Sequence, residues 1–471
     1  MPADTLFLLT DQERYDVVAP DGPPVETPNI DALAADGMFF ERAYTPISIC
    51  SSARASLLTG LYPHNHGMLN NCHEPDAIRE VLPADLPTFG ERLAASGYHN
   101  TYLGKWHVGN ERGPADFGFE YLGGADGPAA AGQGFLEYQR DLGVDPDDVE
   151  LTDTLYTDTP DRTLVAATTS LPIEATYSYY LAERTIERLE AWDGEDGPHF
   201  HRTDFPGPHH PYTVPEPYAS LYDPDEVDLP ASFLEDYGKK PAVQEAYLSY
   251  RGVSEFTESD WRRVIAKYYG FVTLIDDQIG RILDAVDRID REPVIVHTAD
   301  HGDFTGSHRQ FNKGPMMYED TYHVPLVVRW PGSVAPGSTC DAFVRLLDLM
   351  PTVLSMAECD LPPDIDGRNL VPLLEGERPD DWPTSVFAEY HGDEFGLYSQ
   401  RMVRTDRYKY VYNPPDVDEL YDLKRDPDEL QNLVDHPQYG DVLDRLRRRL
   451  HEWMLESDDS LRQWSANALM E

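Results

Sequence analysis

The chain of 471 residues, 41% of them hydrophobic, exceeds what one ordinary core holds, so one large domain plus a smaller one is expected. Its 85 acidic against 38 basic residues leave a formal charge of −47, which disfavours DNA, RNA and anionic membranes as partners and matches the acidic surfaces of salt-loving organisms, so a halophilic source is expected. Four cysteines in so long a chain exclude a disulfide framework, and no pair has zinc-ligand spacing.

Met1-Pro2-Ala3-Asp4 leads directly into the apolar run Thr5 to Thr10, a strand that ends at Asp11-Gln12. With no basic leader and no apolar run of membrane-spanning length, a cytoplasmic location is expected. Thr27 reads as a helix N-cap with Pro28 at the first helical position and Gly37 as the stop, followed by a strand at Met38-Phe39-Phe40. A second helix over 86–96 precedes a strand at 99–103. The Gly/Ala/Asp-rich stretch 123–165 has no clear period and reads as an insert over the site. Helices follow over 174–193 and 259–290, the second from Val264, Tyr268, Val272, Ile275, Ile279 and Ile282 at helical spacing. Strands are expected at 199–205, 293–297 and 324–330.

Strands alternating with helices predict an α/β fold: a large, mostly parallel sheet flanked by helices, with ligands bound at the carboxyl ends of its strands. After residue 372 a charged connector leads to β-like runs at 386–390, 401–405 and 408–412. A final amphipathic helix carries Val442, Leu443, Leu446, Leu450, Trp453 and Met454. The expected division is a catalytic α/β domain over 1–372 and a smaller antiparallel sheet plus helix over 373–471.

The polar clusters fall where such a sheet binds ligands. Asp11, Gln12, Asp300 and His301 each follow an apolar strand, and their oxygen-rich chemistry suits a hard divalent cation such as Ca²⁺ or Mg²⁺. Cys50, with Arg54 four residues on, enters an apolar helical run; the cation and the helix N-terminus would stabilise an anion or an activated nucleophile. Lys105, His107, His209, His210 and Lys313 also lie at strand ends or in adjoining loops, a set suited to binding an acceptor-rich anion and protonating a leaving group. Asn70 and Asn71 are read as turn residues. Together these clusters point to hydrolysis of a charged ester.

Leu6 to Gln12, Thr27 to Ala34, Cys50-Ser51-Ser52-Ala53-Arg54 through Leu58-Thr59-Gly60, Gly104 to His107, Pro208 to Pro211, Thr298 to Lys313 and Glu419 to Asp422 occur in one order. In that order the chain resembles the sulfatase family, within the alkaline phosphatase superfamily, over nearly its whole length. The resemblance implies an alkaline phosphatase-like fold and hydrolysis of small-molecule or saccharide sulfate esters. It implies that a maturase oxidises Cys50 to formylglycine, whose hydrate attacks sulfur to give a covalent sulfo-enzyme intermediate. A divalent cation, Ca²⁺ in most of the family with Mg²⁺ or Mn²⁺ as alternatives, would sit on Asp11, Gln12, Asp300 and His301. Arg54 would hold the modified residue and Lys105 and Lys313 would neutralise the transferring group. His209 would protonate the leaving alcohol, and His107 would deprotonate the second hydroxyl. Two departures stand out: Ser52-Ala53 replaces the signature's Pro-Ser, which the maturation machinery reads, and Gln12 with His301 is similar to the phosphonate monoester hydrolase branch. A phosphonate monoester or phosphodiester hydrolase, or a non-catalytic relative with unmodified Cys50, are the alternatives. No sequence feature specifies an oligomeric state.

Overall fold

A computed structural model describes residues 2–123, 133–393 and 396–470. Thr5–Asp11 forms a strand with every residue buried, as an apolar run flanked by strands on both sides requires. It pairs in parallel with Val294–Ala299 on one side and His199–Pro208 on the other. His99–Gly104 and Glu120–Tyr121 extend the sheet in parallel beyond His199–Pro208. Beyond Val294–Ala299 come antiparallel Leu326–Arg329, then Met38–Phe40 and Ser338–Cys340. The result is the expected α/β architecture around an eight-stranded, mostly parallel sheet.

Side-chain alternation along the central strand sends Phe7 and Leu9 to one face, where Ala55, Leu57 and Leu58 of the helix Cys50–Thr59 join them. Leu6 and Leu8 point to the other face, against Val264, Tyr268, Val272, Ile275, Ile279 and Ile282 of the helix Glu258–Val286. Truncating one of these buried aliphatics to alanine would cost about 2–5 kcal/mol.

The first helix, Pro28–Asp36, starts where expected, but the Thr27 side chain makes no capping bond. The carboxylate of Asp276, from the long helix, accepts instead from the backbone N–H of Asn29 at 3.1 Å and of Ile30 at 2.8 Å. Helix Phe89–Ala95 begins later than expected, at a capping box between Thr88 and Glu91. The strand expected over 324–330 is broken at Pro325, which has no N–H to donate. His323–Val324 pairs with Ala43–Tyr44 in a separate small sheet, while Leu326–Arg329 joins the main one.

Within the stretch 123–165, residues 124–132 lie outside the described ones, and the rest holds helix Gln133–Asp141, strand Leu151–Tyr156 and the start of strand Leu164–Thr169, joined by turns. Leu164–Thr169 pairs in parallel with Tyr212–Pro215. Leu151–Tyr156 is largely exposed, so it carries no apolar alternation to read. The helix Ala242–Arg251 lies outside the elements expected from the sequence.

Toward the C-terminus Ser385–Asp393, Gly396–Thr405, Tyr408–Tyr412 and Glu419–Asp422 form a four-stranded antiparallel sheet. The helix Gly440–Glu456 packs Leu443, Leu446, Leu450, Trp453 and Met454 onto its Val403, Tyr410 and Leu420. No helix among the described residues is long and apolar enough to cross a membrane.

Candidate active site

The carboxyl ends of the parallel strands bring the site together. Asp11 ends the central strand, Asp300 follows Val294–Ala299, and Lys105 follows His99–Gly104. Gly104 has φ +97°, and a Cβ there would lie 2.1 Å from the Asp204 carbonyl oxygen, so this close approach of two strands needs glycine. Gln12, His107 and Asn312 hold left-handed φ values of 69°, 58° and 66°. Such conformations cost about 1–3 kcal/mol each and persist where the surroundings impose them.

Ligating atoms of Asp11, Cys50, Asp300 and His301 all lie within 4.8 Å of one another, and all four residues are buried. Cys50 opens its helix with Sγ 3.1 Å from His301 Nε2 and 3.8 Å from Asp11 Oδ1. His301 Nδ1 donates to the Gly302 carbonyl at 2.9 Å, which leaves the Nε2 lone pair facing the cluster. Asp300 Oδ1 accepts from the backbone N–H of Gln12 at 3.1 Å and of His301 at 3.0 Å. Gln12 gives its amide nitrogen to Asp303, while its Oε1 accepts from Lys313 Nζ at 3.1 Å. Two carboxylates, an amide oxygen and one imidazole nitrogen with its tautomer fixed are a donor set that fits a hard divalent cation.

Arg54 is fully buried and binds the acids of three strands: Asp300 at 2.8 Å, Asp204 at 2.7 Å and Asp11 at 2.9 Å. A fourth bond reaches the Lys105 carbonyl at 2.8 Å. Its guanidinium is thus committed to carboxylates. Lys105 Nζ ion-pairs with Asp11 Oδ2. Burial opposes the Asp11 charge, yet Lys105, His209, Arg54 and His301 hold its pKa well below the usual range. For Cys50, burial and then Asp11 push the thiol up to about 11, against the pull of Lys105 and Lys313. The protein environment keeps this sulfur protonated and does not activate it as a thiolate.

His209 and Lys313 meet at this pocket, with Nε2 and Nζ 3.4 Å apart. His209 Nδ1 donates to the His210 carbonyl at 2.6 Å, which leaves Nε2 to face the lysine. Burial, then His210 and Lys313, lower the His209 pKa well below 6.5. His107 is buried more deeply; its Nε2 meets His73 Nδ1 at 2.7 Å, and its Nδ1 has no hydrogen-bond partner among the described residues. Of the two asparagines, Asn70 closes a turn by accepting from the Ile78 N–H. Asn71 instead accepts from the Ser51 N–H and donates to Asp393, tying the Cys50 helix to the C-terminal sheet.

Asp204 and Asp303 escaped the sequence reading. Asp204 takes Arg54, a bidentate Arg202 and the Tyr102 hydroxyl, but in the sequence it is one polar residue inside a strand. The acid two residues after His301 was the available signal for Asp303.

The described geometry has close relatives. The sequence pattern of the Sulfatase family matches residues 3–359, and that of the N-sulphoglucosamine sulphohydrolase C-terminal region matches residues 306–456. "Uncharacterized sulfatase YidJ" of Escherichia coli is 29% identical, over 98% of this chain and 89% of its own. An arylsulfatase of Clostridium perfringens is 28% identical, over 96% of this chain and 94% of its own. Among solved structures, the phosphonate monoester hydrolase of Silicibacter pomeroyi superposes with a TM-score of 0.81 at 25% identity, covering 98% of this chain and 96% of that one. This chain belongs to the sulfatase family.

Proposed function

We propose that the chain hydrolyses sulfate monoesters, with position 50 as the nucleophile once Cys50 is oxidised to formylglycine. The observation that carries this reading is the placement of Cys50: at a helix start, 3.1 Å from His301 Nε2 and inside the Asp11–Asp300–His301 cluster, with its thiol held protonated. Position 50 sits where a nucleophile beside the cation-holding acids would meet a bound ester.

Asp11, Gln12, Asp300 and His301 would hold a divalent cation, for which Ca²⁺ suits the oxygen-rich donors, and the ion would withdraw electron density from the sulfate oxygens. Lys105 and Lys313 neutralise charge on the transferring group, and Arg54 fixes the acids around it. His209 delivers a proton from Nε2 to the leaving oxygen as the S–O bond breaks. Its pKa is low without substrate, but an anionic sulfate alongside favours the imidazolium. His107 takes the proton of the second hydroxyl of the hydrated residue 50 at its unpartnered Nδ1, as the C–O bond to sulfate breaks and the aldehyde returns. A saccharide or other small-molecule sulfate as substrate, a formylglycine-generating maturase as partner, a cytoplasmic location and a halophilic source complete the proposal. The division at 372/373 accompanies it.

A second reading, a phosphonate monoester or phosphodiester hydrolase, is favoured by Gln12 and His301 and by the Silicibacter pomeroyi likeness. Matched aryl sulfate and aryl phosphonate esters test the two: a higher kcat/KM for the sulfate supports the first reading and the reverse overturns it. Peptide mass spectrometry across residue 50 should show sulfur replaced by aldehyde oxygen. An unmodified cysteine in protein that turns over neither ester would defeat both.

A further inference from the structure

His107 is buried with its ring nitrogens in distinct surroundings: Nδ1 has no hydrogen-bond partner among the described residues, and Nε2 lies 2.7 Å from Nδ1 of His73. The two rings stack at 4.8 Å between centroids. His73 leads outward: its side chain is 36% exposed, and its Nε2 lies 3.2 Å from Glu74 Oε1. The contacts therefore run from a buried nitrogen of His107 to the exposed ring of His73, with Glu74, 14% exposed, beside it.

The partners fix where the protons sit. Glu74 as a carboxylate only accepts, which favours hydrogen on the facing Nε2 of His73. In the neutral form of His73 that leaves Nδ1 bare, and the hydrogen in the short contact then belongs to His107 Nε2. His107 is left with a bare Nδ1, the form a base needs. Burial, then Lys105, His73 and Arg54, hold the His107 pKa well below 6.5, so it cannot store a proton for long. The charged groups that act on it are Lys105, Arg54, His73 and Asp11, and Cys72 adds a thiol bond from Sγ to the His107 carbonyl.

The reaction itself demands an exit. A sulfate monoester carries one negative charge and free sulfate two, so each hydrolysis at neutral pH releases one proton. We propose that His73 and Glu74 form a proton relay that carries this proton from His107 to solvent; the proposal rests on the sulfatase reading above. A proton arrives at His107 Nδ1 as the O–H bond at position 50 breaks. The Nε2 proton of His107 passes to His73 Nδ1, and the Nε2 proton of His73 passes to Glu74 and then to water. One proton enters the line and one leaves; both rings then carry hydrogen on Nδ1, and a tautomer flip of each ring returns it to Nε2 before the next turnover. His73 acts through His107, as a positioning and relay residue.

The test uses the full chain in two measurements. In steady-state turnover of an aryl sulfate, His73→Ala should lower kcat about 10-fold or more with KM little changed, since a positioned acid or base supplies about 10²–10⁴-fold. Added imidazole should restore kcat in proportion to its concentration. His73→Asn can accept from His107 Nε2 and keep the tautomer but cannot pass a proton, so it should stay slow. Full activity in His73→Asn, or unchanged kcat in His73→Ala, overturns the relay. The second measurement needs no turnover: ¹⁵N spectra of histidine-labelled protein should show hydrogen on Nε2 of both rings and coupling across the His107–His73 contact. Hydrogen on His73 Nδ1 and His107 Nδ1 instead overturns the relay, whether or not the protein is active. Failure of the parent chain on both ester classes would overturn the functional reading and leave the spectra to decide the relay.

Discussion

Gln12 turns its amide nitrogen to the Asp303 carboxylate, and so presents its carbonyl oxygen to the site. An amide is nearly symmetric in shape, so only its partners decide which end faces a ligand. Asp303 is itself fixed by the Tyr212 hydroxyl at 2.6 Å and the Thr305 N–H at 2.8 Å. In Asp303→Asn one of the two acceptor oxygens becomes a donor, and the Gln12 amide loses its reason to face one way. With Gln12 as the proposed ligand, calorimetric titration with Ca²⁺ should show affinity weakened about 10–100-fold, the usual cost of losing a partner behind a metal ligand. Unchanged affinity would remove Asp303 from the site.

Arg54 is the only side chain that bonds Asp11, Asp204 and Asp300 at once among the described residues, and every group involved is buried. Burial disfavours its charge, yet Asp300, Asp11 and Asp204 raise its pKa well above the usual value. Truncation leaves the buried Asp300 without its arginine, while Asp11 keeps Lys105 and Asp204 keeps Arg202; breaking a buried pair costs about 3–5 kcal/mol. Arg54→Ala should lower the urea midpoint accordingly. Arg54→Lys has one ammonium where three carboxylates and a carbonyl need a fork, so it should recover only part of the loss.

The sequence made the site legible because apolar strand runs stop abruptly: Leu6 to Thr10 before Asp11, and Pro293 to His297 shortly before Asp300. The long helix was legible for a similar reason, since Val264 to Ile282 keep helical spacing on a face that is wholly buried. What stayed hidden depends on contacts distant in sequence. Thr27 reads as a cap, but Asp276, nearly 250 residues on, does the capping. Arg54 reads as support for a nucleophile, and only the folded sheet shows three acids sharing it. His73 and Glu74 look like solvated surface until the contact with His107 is seen.

Net charge gives a third prediction. At −47 the folded chain repels itself, and salt shortens the reach of that repulsion from about 10 Å at 0.1 M to about 3 Å at 1 M. The thermal midpoint should rise with KCl over this range. At about 2.1 cal/mol/K of unfolding entropy per residue, a gain of about 2 kcal/mol in a chain of 471 residues would appear as roughly 2 °C. A flat or falling midpoint would show that surface repulsion does not limit stability here.

His64 joins the Cys50 half of the chain to the C-terminal sheet, and both its nitrogens meet pure acceptors. Nδ1 lies 2.9 Å from Glu389 Oε2 and Nε2 3.0 Å from the Ser457 carbonyl, so both carry hydrogen and the ring is an imidazolium. Although its ligating atom lies within 4.8 Å of those of Glu389 and Asp459, His64 and Arg401 already neutralise those acids. Burial opposes the charge on His64, but Glu389 outweighs it and raises the pKa from 6.5 to about 9. The folded form therefore binds the proton more tightly than the unfolded chain. Its stabilisation is complete below pH 6.5 and disappears as pH rises toward about 9. At about 1.4 kcal/mol per pKa unit the full effect is about 3 kcal/mol. Urea unfolding of the parent and of His64→Gln across this window isolates it: the stability gap between them should shrink steadily with rising pH. A gap independent of pH would mean that His64 is neutral in the fold, and that the contact with Glu389 is an ordinary hydrogen bond.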